Sequence, residues 1–319
     1  MIESGRHDVV CVSYLAPAHL LLVDEYPPAN YGAEVVSTER GVAADGPMIA
    51  LTLASMDLDV ALITNSVGRG AAWASIADQL EMSAMAFIPS SAQRRDKSPE
   101  IVVVSDRLGN RTWFPYLPEV DTELRAADLS PLAGCRLAYV DHYEVIEDAA
   151  TRAIREAADV GTPLFVNLGG VRPGGGLVDL LRRASPAVIQ TNLRENQRVH
   201  ALSLARELAT HTLAGLVVVT MGFDGAVAIS AANVLYDVPA YPISPRRLHG
   251  AGAAFSAGLI ASLLTGVPTD EALAFASACG AHQCERPTQA TWPSRDDIAA
   301  FVDAHPRLHI GTSEYPIEH

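Results

Sequence analysis

Apolar runs and amphipathic stretches alternate along most of the chain. Asp8 to Leu15 reads as a buried strand and Ala61 to Thr64 as another, with helical spacing at 46–56 and 71–80. From about residue 130 the alternation is regular. Strands are predicted at 136–140, 163–167, 187–191 and 215–220, separated by helices at roughly 145–160, 177–184 and 194–208. Three further helices are predicted near 250–265, 269–284 and 295–303. Short apolar strands alternating with helices predict a parallel sheet covered on both faces. Two β-rich stretches break that rhythm. Pieces at 20–23 and 33–37 are separated by Pro27, Pro28 and Gly32, and 100–105 with 112–116 flank the turn pair Gly109-Asn110. These segments, about 20–41 and 100–118, predict a small second sheet beside the main body, the whole forming a single domain over 1–319.

Composition narrows the function classes. Hydrophobic residues make up 49 % and charged residues 19 % of 319, enough for a large core. There is no uninterrupted apolar run long enough to span a membrane, and the polar start Met1 to His7 predicts a cytoplasmic protein. Net charge is −14 with no basic cluster, which argues against a nucleic-acid partner. Cys11, Cys135, Cys279 and Cys284 lie in or beside apolar runs without metal-binding spacing, so buried free thiols are expected. An acidic chain that binds phosphates must do so locally, through helix ends and backbone amides.

The chemistry concentrates at predicted strand ends, where open parallel sheets bind ligands. Arg247 to Gly258 carries Gly250-Ala251-Gly252 at the opening of an apolar helix. Unpaired N–H groups there, backed by the helix dipole, form a candidate anion hole; the plainer alternative is a tight turn before a core helix. Thr220, Gly222 and Gly225 follow the 215–220 strand in a turn that allows close backbone approach, or else mark an ordinary hairpin. Asn192 and Glu195 follow the strand before it, and also have the spacing of a helix capping box. Asp141, His142 and His249 are candidate bases, each weighed against a plain polar loop residue.

In this order the motifs resemble those of the ribokinase-type (PfkB) carbohydrate and nucleoside kinases. That family's Asn-x-x-Glu, Thr-x-Gly-x-x-Gly and Asp-Thr-x-Gly-Ala-Gly-Asp-x-Phe are matched at 192–195, 220–225 and, in part, 247–255. The resemblance covers about residues 8 to 303. It implies a ribokinase-like three-layer α/β/α domain with a mostly parallel central sheet and a small β lid. It further implies phosphoryl transfer from ATP or a related nucleotide to a hydroxyl of a small nucleotide, nucleoside or sugar-like molecule. Mg2+ would be held through water by Glu195, with Ser277 on the nucleotide side and dimerisation through the lid.

The match fails where the acceptor should bind. The family's catalytic Asp falls on Ala253, and the Asp and Thr that open the motif fall on Arg247 and Leu248. The sugar-gripping Asp falls on Ala18, beside His19. Two glycines become Ala43 and Ala44, the hydroxyl-binding Asn becomes Met48, and Gly-Asp-Asp becomes Gly68-Arg69-Gly70; Asn167 is a polar residue left on this side. Discriminating a polyol requires polar groups that wrong ligands leave unpaired, and most are gone. Three readings stay open: a degenerate kinase that binds a nucleotide or nucleoside with weak or no transfer, an active kinase on a less polar acceptor with a different base, or a repurposed enzyme acting on a nucleoside or phosphorylated ligand.

Overall fold

The computed structural model describes residues 7–91, 98–107, 110–288 and 291–315. A ten-stranded sheet runs through its centre, in the order β14-β13-β12-β11-β10-β9-β8-β1-β4-β5. The parallel strands are β1 (Val9–Val12), β4 (Val60–Thr64), β5 (Ala86–Pro89), β8 (Leu137–Asp141), β9 (Leu164–Asn167), β10 (Val188–Asn192) and β11 (Leu216–Thr220). The strands β12 (Ala226–Ser230), β13 (Val234–Val238) and β14 (Gly311–Glu314) extend it antiparallel. Residues 8–15 narrow to four strand residues, because the chain after Val12 turns into the lid.

Alternation along each strand splits the core in two. Val9, Cys11 and Tyr139 face α1 (Asp45–Ser55), α7 (Ala251–Leu263), α8 (Thr269–Glu285) and α9 (Arg295–Ala304), with α2 (Ala71–Glu81) packed at the edge. Val10, Val12 and Val140 face α4 (Glu147–Asp159), α5 (Gly175–Ala184) and α6 (Arg198–Thr212). Helices on both faces explain why the strands read as unbroken apolar runs. The helix α7 is buried over most of its length, and its Gly258 lies against Cys279 of α8, so small residues set how closely that pair packs. All four cysteines are buried and free. Among the described residues no helix is long and apolar enough to cross a membrane.

The second sheet has the order β3-β2-β6-β7, built from β2 (Ala16–Val23), β3 (Val35–Ala43), β6 (Glu100–Asp106) and β7 (Arg111–Tyr116). Its β2–β6 pair is parallel and its outer pairs antiparallel. The expected β pieces at 20–23 and 33–37 are longer strands displaced towards 16 and 43; Gly109 of the predicted turn lies outside the described residues. Sequence reading had missed β5, β12, β13, β14 and the short helix α3 (Val120–Arg125). Three of those strands are the antiparallel extension, which follows a hairpin instead of the helix-punctuated rhythm.

Candidate functional site

The carboxyl ends of the parallel strands, the first turn of α1 and the first turn of α7 meet along one edge of the large sheet. On the side towards β1 and β8 they form a dense polar network. Asp141, at the end of β8, has no exposure. Its Oδ2 accepts from the Ser13 hydroxyl at 2.5 Å and the Gly46 N–H at 2.8 Å. Its Oδ1 accepts from the Tyr139 hydroxyl at 2.6 Å and from Asn167 Nδ2 at 3.3 Å. Asn167 Nδ2 also donates to Asp45 at 3.1 Å, where the Tyr143 hydroxyl donates at 2.5 Å. Burial, and then the neighbouring Asp45, push Asp141 up to about 7. Both of its oxygens are engaged within the protein, so Asp141 is built as a clamp joining β1, β8 and α1. It is not poised as an open base.

Strand alternation corrects the expectation for His142. Its side chain lies on the opposite face, with Nε2 3.3 Å from the Thr151 hydroxyl of α4, and burial lowers its pKa. Tyr139, Asp141 and Tyr143 share a face because they are two residues apart. That spacing was legible, yet the tyrosines had not been marked; Ser13 and Asp45 gave no comparable signal.

The helix α7 opens on Gly250, whose φ of 84° lies in the left-handed region that favours glycine, and no side chain caps the helix. Its first N–H groups are therefore the uncapped donors predicted for an anion hole at Gly250, Ala251 and Gly252. Ala253 sits in that first turn at 1 % exposure. Met48 of α1 approaches Gly250 and is itself buried, so a thioether fills the expected polar position. A Cβ added at Gly252 meets nothing within 4 Å, which marks open space before the helix start.

His249 is placed close by, with Nε2 3.0 Å from the Val42 carbonyl. A carbonyl only accepts, so Nε2 carries the proton and Nδ1 is left as the basic nitrogen. Burial, together with the charges of Arg111 and Arg247, takes its pKa down to about 4 despite the carbonyl's opposing effect. His249 is thus neutral near pH 7 and a weak base. Arg247 pairs through Nη2 with Glu39 of β3 at 2.6 Å. Glu39 and Arg111, both from lid strands, had not been marked in the sequence.

Other expected acceptor-side positions are dispersed. Ala18 and His19 lie on β2, where Ala18 is buried and His19 Nε2 sits 2.7 Å from the Thr38 hydroxyl across the lid. Ala43 ends β3 and Ala44 precedes α1 with φ 77° and ψ 149°, a conformation almost reserved for glycine.

On the side towards β10 and β11, Asn192 and Thr220 stand opposite each other in register. The Glu195 carboxylate folds over the next turn and accepts from the Phe223 N–H at 3.1 Å. Gly222 has φ 57° beneath it. Gly225 is more constrained: φ is 78° and an added Cβ falls 2.1 Å from the Val238 carbonyl. The capping-box alternative for 192–195 does not hold, since α6 starts at Arg198 with Gln197 at its cap. Ser277 donates to the Pro239 carbonyl at 3.2 Å, tying it to the segment leaving β13. No group of three or more His, Cys, Asp or Glu suited to a metal occurs among the described residues. Glu195, the carboxylate to which the resemblance assigns a hydrated ion, here holds the Phe223 N–H.

The model of the pfkB family of carbohydrate kinases matches residues 86–295, a span that includes the turns at 192–195 and 220–225 and the start of α7. The chain belongs to this family. A curated relative is the ATP-dependent ribose-1-phosphate kinase of Halopiger xanaduensis, 27 % identical over 88 % of this chain and 93 % of that protein. Solved structures share the PfkB fold at lower identity. Ribokinase from Thermotoga maritima aligns with a TM-score of 0.72 at 15 % identity, covering 93 % of this chain and 99 % of its own. The Burkholderia thailandensis nucleoside kinase, solved with inosine, aligns with a TM-score of 0.71 at 19 % identity, covering 93 % and 97 %. These likenesses identify the PfkB fold and its lid; the acceptor must be argued from this chain's residues.

Proposed function

We propose that the protein binds ATP, or a related nucleotide, with Mg2+ along the β10–β13 turns, next to a small sugar-like or nucleoside ligand under the lid, and that it transfers phosphate weakly or not at all. The observation that carries this reading is Ala253. It occupies the first turn of α7, where phosphoryl transfer in this family would place a base, and it cannot accept a proton. The uncapped helix start supports anion binding at the transferring phosphate. Phosphoryl transfer is mostly positioning and charge stabilisation, so losing the base removes about 10²- to 10⁴-fold and not the whole rate. Mg2+ would neutralise phosphate charge; Glu195 and Asn192 are the residues proposed to orient it.

A second reading has its own support. The Halopiger relative acts, by its name, on a phosphorylated pentose, and this chain gathers arginines beside α7. An active kinase on such an acceptor would use His249 Nδ1 or water as proton acceptor. Dimerisation through the lid is proposed from its exposed apolar side chains Tyr31, Val35, Trp113, Phe114 and Tyr116.

Calorimetry with Mg-ATP, followed by ADP-release assays with ribose, inosine and ribose 1-phosphate, separates the readings. The first expects ATP binding with turnover near background for every acceptor. Robust ADP release with one of them would replace it by the second, and no ATP binding would sink both.

A further inference from the structure

The turn Arg247-Leu248-His249 concentrates positive charge in a chain whose net charge is −14. Arg247 comes from the turn, Arg111 from lid strand β7, and Arg286 from just past α8. Arg111 Nη1 donates to the Leu248 carbonyl at 2.9 Å. Arg286 Nη1 donates to Gln283 Oε1 at 3.2 Å, and Gln283 Nε2 donates in turn to the His249 carbonyl at 3.1 Å. The backbone N–H of Arg247 donates to the Cys284 carbonyl at 3.1 Å, so the turn is pinned to the end of α8.

Charge balance in this cluster is incomplete. Among the described residues, Glu39 is the carboxylate in salt-bridge contact with any of the three arginines, at 2.6 Å from Arg247 Nη2. The other Glu39 oxygen is 2.8 Å from the Thr288 hydroxyl, which donates to it. The Arg247 side chain is 9 % exposed, and its Nε and Nη1 are buried with no hydrogen-bond partner among the described residues. Burying charged donors without acceptors is costly, and so is gathering like charges. An arrangement of this kind is relieved by an anion. At Gly252, in the first turn of the helix that this turn leads into, an added Cβ meets nothing within 4 Å.

We propose that Arg247, assisted by Arg111, forms a subsite for a phosphate monoester on the acceptor molecule, with the Glu39 carboxylate holding the place of that phosphate when no ligand is bound. The planar guanidinium fork matches phosphate oxygens, and Arg111 adds a second positive charge. Two of the contributors, Glu39 and Arg111, belong to lid strands, while the turns at 192–195 and 220–225 supply none. The subsite therefore faces the acceptor side, not the nucleotide. For the phosphate to reach Nε and Nη1, the Glu39 strand must yield, which couples lid position to ligand charge. The inference rests on reading the acceptor side as a small-ligand pocket, and it narrows the ligand to phosphorylated sugars.

The test is calorimetry on the full chain without nucleotide, using ribose 1-phosphate, ribose and inorganic phosphate as probes, with Mg-ATP titrated separately. Ribose 1-phosphate is expected to bind at least about tenfold more tightly than ribose or inorganic phosphate. Arg247→Met should remove about tenfold or more of that affinity and Arg111→Ala several-fold, both with Mg-ATP affinity unchanged. Glu39→Gln should tighten ribose 1-phosphate by removing its competitor. Should Arg247→Met fail to fold, Arg111→Ala, on an exposed lid position, carries the same test. The proposal is overturned if ribose or inorganic phosphate binds as well as ribose 1-phosphate, or if the arginine variants leave its affinity untouched. Equal loss of Mg-ATP affinity in those variants would assign the cluster to the nucleotide and overturn it too. Because the sugar-phosphate titrations contain no nucleotide, failure of wild-type ATP binding counts against the function proposed above and leaves this inference standing.

Discussion

Two stretches of the same sheet edge are built in opposite ways. Around β10 and β11 the contacts proposed for a nucleotide depend on backbone: the Gly222 and Gly225 turn and its register with Asn192. Around β1, β8 and α1 the contacts depend on side chains, and these bond one another instead of facing an open pocket, as Asp141 does with Ser13, Gly46, Tyr139 and Asn167. Backbone geometry survives sequence drift as long as a few glycines stay, whereas a side-chain pocket changes with every substitution. A fold can therefore keep its phosphate frame while its acceptor specificity is rewritten.

The strongest way to sharpen that contrast is to restore the missing base. Ala253→Asp is expected to raise ADP release about 10²- to 10⁴-fold with whichever of ribose, inosine or ribose 1-phosphate binds. Thermal melts would confirm that the variant stays folded. A correctly folded variant without any gain would mean that the acceptor side has lost its positioning as well as its proton acceptor.

How far this was legible varied with the kind of signal. The parallel sheet, its helices and the second sheet followed from apolar period and turn chemistry, and the comparisons agree with that fold. The turn at 220–225 was visible as a short motif because glycine spacing records backbone demand, and 192–195 as an Asn-x-x-Glu pair after a strand. On the acceptor side the sequence marked positions where the resemblance fails, but not which residues come together there. Asp45, Ser13 and Glu39 meet their partners across 98, 128 and 208 positions of sequence, distances over which no local pattern reports contact. His142 had been marked as a candidate base alongside Asp141, although neighbours on a strand face opposite ways.

The backbone side can be broken at one atom. Gly225→Ala places a Cβ 2.1 Å from the Val238 carbonyl at a φ of 78°. A stability loss of at least about 2 kcal/mol is expected, seen as a lower urea midpoint, with ATP affinity falling as the turn distorts. Gly252→Ala is its counterpart. Its Cβ meets nothing within 4 Å and alanine favours helix, so the midpoint should hold or rise while ATP affinity drops as the methyl enters the space before α7. Parallel losses in both variants would remove the distinction between a structural glycine and an anion-site glycine.

On the side-chain side, the buried network predicts a pH signature. Asp141 is raised from 3.8 to about 7 in the folded protein, first by burial and then by Asp45. The folded state thus holds a proton that the unfolded chain releases between those values. The associated stability is full below about pH 4 and is lost as pH rises through about 7. Replacing the acid by its amide, Asp141→Asn, should flatten this decline by an amount on the order of a few kcal/mol. The check is urea unfolding from pH 4 to 8 for both proteins. Identical slopes would show that Asp141 does not retain a proton on folding.

The smallest effect concerns the residue where the two behaviours meet. Ala44 keeps φ 77° and ψ 149° at the entrance to α1, a backbone that suits glycine and strains alanine. Ala44→Gly relieves that strain but adds freedom to the unfolded chain, so a net gain of about 1 kcal/mol or less is expected in the urea midpoint. Acceptor affinity should barely move, because the donors proposed to hold a phosphorylated ligand come from Arg247 and Arg111, not from this turn. A gain in stability with unchanged ribose 1-phosphate affinity would show the turn to be a relic of the family backbone. If affinity for plain ribose rose instead, the methyl of Ala44 would be the group that keeps free sugars out, and the acceptor side would owe its specificity to exclusion as much as to charge.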